Sequence, residues 1–175
     1  MKVLGRRNLI LVGFMGVGKN KVGKEIAHIL GREFVDLDAI IVNREGMSIN
    51  DIFTKFGEPY FRSVEADELA KLCRRLSIVI ATGGGAFCQP ENAELMLETG
   101  VVVWLNVEFA IIRKRLAGKT DRPNWHPEKA KLLFEKRLPL YARADFEIPV
   151  KAEAPAEEIA QRVVATVRTM GGFAQ

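Results

Sequence analysis

The sequence predicts an α/β fold: a five-stranded parallel sheet with helices on both faces. Three observations predict it. Short apolar, mostly β-prone runs at 9–12, 34–35, 78–81, 101–105 and 146–150 are bounded by polar or glycine-rich stretches. Helical patterns separate these runs, the alternation expected of parallel strands joined by crossover helices. Glycines and carboxylates follow the strands directly, at the rim where open α/β sheets bind ligands. With 175 residues, 48% of them hydrophobic, the chain suits one domain whose core needs no disulfide. No repeat, low-complexity tract or linker breaks the pattern, so residues 1–175 are predicted to form a single domain.

The first strand, residues 9–12, runs into Gly13-Phe14-Met15-Gly16-Val17-Gly18-Lys19. This is the G-x-x-x-x-G-K spacing of a phosphate-binding loop, in the required context of a strand before and a helix after. Glycines let successive backbone N–H groups of Gly13, Gly16, Val17 and Gly18 curl around an anion. The new helix points its positive end at that anion, and Lys19 reaches the outer phosphates. The residue after the lysine is ordinarily Ser or Thr, whose hydroxyl holds magnesium. Here it is Asn20, followed by Lys21. An amide oxygen can also ligate a hard cation, on a longer arm.

The helix predicted over 19–30 places Val22, Ile26, Ala27, Ile29 and Leu30 on one broad face and stops at Gly31. Phe34 and Val35 then lead to Asp36-Leu37-Asp38. Two carboxylates at this rim predict two roles; the alternative is that one of them caps a helix beginning at Ala39. Residues 48–51 (Ser-Ile-Asn-Asp) read as a helix start and Gly57 as its end. Pro59 suits the first turn of a longer helix with Phe61, Val64, Leu69, Leu72, Cys73 and Leu76 as its apolar contacts. Arg62 and Glu65, one turn apart on it, read as a solvated ion pair.

The strand at 78–81 ends in Thr82-Gly83-Gly84-Gly85, a run that gives either a flexible turn or a bare backbone that a ligand can approach closely. Helices are predicted at 91–99, 107–117 (with Arg113, Lys114 and Arg115), 128–142 and 155–169, and the tail 171–175 is predicted to fray. Residues 118–127, polar and broken by proline, read as an exposed loop. A mobile segment carrying Arg122 beside a nucleotide site also has the character of a phosphoryl-transfer lid, placed at about 116–128. His28 and His126 read as structural or solvated.

The net charge of +4 suits anionic small molecules. No interleaving of aromatic and basic residues points to nucleic acid, so no such partner is expected. Cys73 and Cys88 lack metal-type spacing and read as reduced thiols, which predicts a cytoplasmic protein. The basic start followed by an apolar run resembles a signal peptide only superficially, because glycines interrupt the run and Lys19 ends it. No stretch approaches the ~20 apolar residues of a membrane span, and no membrane partner is expected.

Together these pieces resemble shikimate kinase over roughly residues 9–167. The resemblance rests on the phosphate loop, Asp36-Leu37-Asp38, the string Gly57-Glu58-Pro59-Tyr60-Phe61-Arg62-Ser63-Val64-Glu65 and Thr82-Gly83-Gly84-Gly85. It continues through Arg122-Pro123 and Arg137 with Tyr141 and Ala144-Asp145. It implies a sheet of the P-loop nucleoside-monophosphate-kinase type and transfer of the γ-phosphoryl group of ATP, with Mg2+, to the 3-hydroxyl of shikimate. By matched position, the substrate-binding region is about 36–65. Asp38 would bind the diol and orient or deprotonate the hydroxyl, Arg62 and Arg137 would clamp the carboxylate, and Gly83, Gly84 and Gly85 would offer backbone contacts. Asp36 and Asn20 would serve the metal, Lys19 and Arg122 the phosphates, and Arg115 the adenine. The protein would act as a monomer.

Two departures stand out. Asn20 replaces the hydroxyl residue. Asn124 and Trp125 follow Arg122-Pro123 where two leucines are usual, and the stretch from Arg122 to Arg137 is short for the family. They leave two other readings open: a kinase of the same fold acting on another hydroxylated acid or a nucleotide, and a weakly active nucleotide-binding paralogue.

Overall fold

Three strands form the middle of the sheet because their sequences are apolar toward both faces. β1 (Asn8–Val12), β3 (Ile78–Ala81) and β4 (Gly100–Val107) are buried along almost their whole length, as strands covered on both sides must be. β2 (Glu33–Asp36) and β5 (Phe146–Val150) bury only some positions and lie at the edges. The order is β2-β3-β1-β4-β5 and every neighbouring pair is parallel. Leu9 sets the register, opposite Val79 on one side and Val101 on the other. Pro149, with no N–H to give a ladder, is accommodated because β5 is an edge. The structure, a computed structural model, describes residues 4–117 and 126–169.

The connections fix where the helices go. α1 (Lys19–Leu30) carries the chain from β1 two places along the sheet to β2, whereas α4 (Pro90–Thr99) carries it two places the other way, from β3 to β4. Right-handed crossovers running in opposite directions put their helices on opposite faces. α7 (Ala156–Thr169) packs on α1, and α3 (Ile49–Cys73) packs on α4. The predicted layered sheet is therefore the observed one, and all five strands end on one rim.

Most predicted elements form where the sequence places them, and the differences have local causes. Gly31 closes α1 in the left-handed region at φ 61°. Ile29, however, is exposed, and Leu76 lies beyond the end of α3 and is exposed too; neither joins the core. Gly57, at φ 82° and ψ 170°, breaks α3 into the expected short and long helices. α2 (Leu37–Glu45) begins two residues before Ala39, because the Asp36 side chain accepts from the N–H groups of Asp38 and Ala39. α5 (Phe109–Leu116) begins later than 107, because Val107 finishes β4 opposite Val150. Pro127 opens α6 (Pro127–Tyr141). The expectations for Arg122, Asn124, Trp125 and the tail 171–175 lie outside the described residues. Among the described residues, no helix is long and apolar enough to cross a membrane.

Candidate active site

The rim of the sheet holds two halves that meet at a glycine. In the first half, β1 turns at Gly13, whose φ is 139°. A methyl group there would stand 2.8 Å from the Leu105 carbonyl oxygen of β4, so only a glycine lets the loop pass so close. Gly18 caps α1 at φ 100° and supplies no side-chain hydrogen bond. No capping side chain therefore competes with a ligand at the start of the helix. Lys19 is buried, and its Nζ donates to the carbonyls of Gly13 (2.7 Å) and Phe14 (2.9 Å). It is held across the loop whose anion it is expected to contact. Lys21, on the same first turn, is exposed.

Asn20 and Asp36 meet. The Asn20 Nδ2 donates to Asp36 Oδ2 at 2.5 Å, while Asp36 Oδ1 accepts from the N–H groups of Asp38 (3.0 Å) and Ala39 (3.4 Å). Asp36 is thus the helix cap that the alternative reading allowed and also the neighbour of Asn20. On one strand the two carboxylates would share a face; they part company because Asp36 ends β2 and Asp38 stands on the first turn of α2. Arg115 donates to the carbonyls of Val17 (3.2 Å) and Ala152 (3.4 Å), linking the phosphate loop to the segment after β5. A cavity of about 410 Å3 opens at that segment, lined by 151–154 and Glu158.

The second half is a cavity of about 600 Å3 that Asp38, Arg62, Glu65, Arg137 and the run Gly83 to Gly85 line together. The glycines make room for charge. A methyl group on Gly83 would lie 2.7 Å from Asp38 Oδ1 and 3.3 Å from Glu65 Oε1, and one on Gly85 would lie 2.5 Å from Arg62 Nη2. The Gly84 carbonyl accepts from Arg137 Nη1 (3.2 Å), from the Tyr141 hydroxyl and from Cys88 Sγ (3.8 Å). Gly84 also faces the phosphate loop: a methyl group there would be 3.2 Å from the Met15 nitrogen. Arg137 in turn lies over the Phe14 ring, 5.7 Å from its centroid. Nucleotide half and acceptor half therefore share a wall.

The Arg62–Glu65 pair is not the solvated pair the sequence suggested. Glu65 is completely buried and takes Arg62 Nη1 at 2.6 Å. Its position was legible after all, since it lies one turn from Phe61 and one from Leu69 on the apolar face of α3. Burial pushes the Glu65 carboxyl up, Arg62 pulls it down, and Asp38 pushes it up again, with a raised pKa as the outcome. Burial works against the Arg62 charge, but Glu65 and Glu58 outweigh it and raise its pKa. Burial likewise raises Tyr141, which keeps its proton and remains a donor to Gly84.

The comparisons with known proteins agree with this geometry. The family model for shikimate kinase matches residues 15–168. A shikimate kinase of Thermodesulfovibrio yellowstonii is 40% identical over 162 residues, covering 90% of this chain and 93% of that one.

The chain belongs to the shikimate kinase family.

The solved structure of an Acinetobacter baumannii shikimate kinase in complex with shikimate superimposes with a TM-score of 0.91 at 35% identity, covering 97% of each chain. That of Aquifex aeolicus gives 0.83 at 34% identity, covering 94% of this chain and 99% of that one. As a shikimate kinase family member the chain is a phosphotransferase that draws on ATP. Of the residues this family pattern picks out, Asp38, Arg62, Arg137 and Gly83 to Gly85 converge on one cavity. Asp36 and Asn20 form a separate pair at the phosphate loop. Glu65 and Tyr141, which carry the resemblance without an assigned role, join the site. Arg122 lies outside the described residues.

Proposed function

We propose that this enzyme transfers the γ-phosphoryl group of ATP to the 3-hydroxyl of shikimate. The observation that carries the reading is the shared wall at Gly84. It sets two guanidinium groups and two carboxylates, Asp38 and Glu65, in a cavity that touches the phosphate loop. Arg62 and Arg137 are suited to hold the acceptor's carboxylate, since planar guanidinium groups match that geometry. Asp38 orients the attacking hydroxyl and takes its proton. The hydroxyl oxygen bonds to the γ-phosphorus as the bond to the bridging oxygen breaks, and ADP leaves with the electron pair. Lys19 and the N–H groups at the start of α1 stabilise negative charge on the phosphates, which is most of what phosphoryl transfer asks of a protein. Arg122 is assigned the same task from the segment after α5, and Arg115 the flank of the adenine.

Mg2+ fits the donor set. The Asn20 amide oxygen and the Asp36 carboxylate are hard oxygen ligands, and the amide nitrogen is the atom turned to Asp36. These two residues would hold the ion, which when bound neutralises charge on the β- and γ-phosphates. We assign residues 1–175 to one P-loop kinase domain acting as a cytoplasmic monomer, with shikimate and ATP as its ligands and neither nucleic acid nor membrane as a partner.

The test is ADP release by purified protein with ATP and Mg2+. Adding shikimate is expected to raise the rate at least tenfold over the acceptor-free background. A rate that ignores shikimate but answers to another hydroxylated acid or a nucleotide would overturn the acceptor; no response to any acceptor would overturn the kinase reading of this site.

A further inference from the structure

Arg62 is held at two edges by two very different carboxylates. Its Nη1 donates to Glu65, which is buried, at 2.6 Å. Its Nε and Nη2 both donate to a single oxygen of Glu58, Oε1, at 3.2 and 3.0 Å. The Glu58 side chain is 61% exposed, against 1% for Glu65. The Nε–Nη2 edge is one that offers two parallel N–H groups to a carboxylate. Gly85 packs directly against Nη2 and Nη1, with room for no methyl group between them. The edge best suited to an acceptor's carboxylate is therefore already taken, by a residue one helical turn back on the same helix.

Resting on the reading of Arg62 as a carboxylate clamp, we propose that Glu58 is an internal competitor that yields this edge of Arg62 to the acceptor's carboxylate. Glu65 is the permanent anchor and Glu58 the exchangeable partner. Glu58 gives both N–H groups one oxygen, whereas an incoming carboxylate can give each its own, so the exchange improves the match. It also trades charge for charge. Glu65 keeps Arg62 paired throughout, so the exchange leaves no half-buried cation without a counterion. A neutral acceptor has no carboxylate to trade and leaves Glu58 in place. Glu58 thereby sets the affinity of the site for acids without touching the reacting atoms.

The experiment compares wild type, Glu58→Gln and Glu58→Ala with shikimate and with its carboxamide analogue. Exposed i,i+4 pairs are weak, so removing the competitor is expected to lower the KM for shikimate by about two- to fivefold. The kcat is expected to stay the same, and so is the KM for the carboxamide. An unchanged or higher KM for shikimate in both variants, or an equal drop for the carboxamide, overturns the exchange. Arg62→Lys separates the two layers. If it raises the KM for shikimate while the Glu58 variants fail to lower it, only the exchange is wrong. If Arg62→Lys leaves that KM unmoved, the clamp fails and the exchange fails with it.

Discussion

A serine or threonine at position 20 would offer a metal one oxygen on a short arm. Asn20 offers an amide whose nitrogen is committed to Asp36. Asp36 consequently has donors at both oxygens, the amide at one and the start of α2 at the other. Asn20→Ser removes one of those donors and shortens the arm. The expected result is a roughly fivefold lower Mg2+ concentration for half-maximal ADP binding, on the scale of one hydrogen bond worth about 1 kcal/mol. Calorimetric titration of ADP at several Mg2+ concentrations measures this without turnover; an unmoved midpoint would mean the amide serves the metal as well as a hydroxyl. At this scale the sequence showed which residues carry charge but not which are buried. Arg62 and Glu65 look alike in spacing to any solvated helical pair, and the one signal that separates them is the place of Glu65 between Phe61 and Leu69 on the apolar face of α3. The resemblance sent Asn20 and Asp36 to the same metal, but their direct contact depends on where β2 ends relative to the phosphate loop.

Elements were more legible than side chains, because hydrophobic period and glycine position speak about the backbone directly. α1 and β5 fall within their predicted bounds, since Gly31 stops the one and edge alternation marks the other. The boundaries that moved are those decided by tertiary contact: Asp36 starts α2 early by capping it, and pairing with Val150 keeps Val107 in β4. Gly13 shows how an element can depend on another one distant in sequence. Its φ of 139° and the Leu105 carbonyl 2.8 Å from where a methyl group would stand tie the phosphate loop to β4. Gly13→Ala has to relieve both. The expected destabilisation is about 1–3 kcal/mol, the range for backbone strain or overpacking of this kind. Chemical denaturation would measure it, and ADP affinity should fall in the same variant; a variant as stable as wild type would show that the loop is free of β4.

At the scale of the whole molecule, parallel strands bring chain segments that are remote in sequence to one rim. Asp38 arrives on α2, Arg62 on α3, the glycines after β3 and Arg137 on α6. None of these elements holds an acceptor alone, so binding it must favour the folded state over the unfolded one. A ligand at 100 times its Kd adds about 2.7 kcal/mol to the free energy of unfolding when it binds only the folded chain. Shikimate and ADP are each expected to raise the unfolding midpoint, by amounts that follow their concentrations. Arg137 reaches the acceptor cavity from α6 and lies against Phe14 of the phosphate loop. Arg137→Ala should therefore remove most of the shift produced by shikimate at a fixed concentration while a substantial shift with ADP survives. Thermal unfolding with each ligand separately decides it. Loss of both shifts together would mean that Arg137 holds the phosphate loop in shape rather than the acceptor, and survival of both would place the acceptor's carboxylate on Arg62 alone.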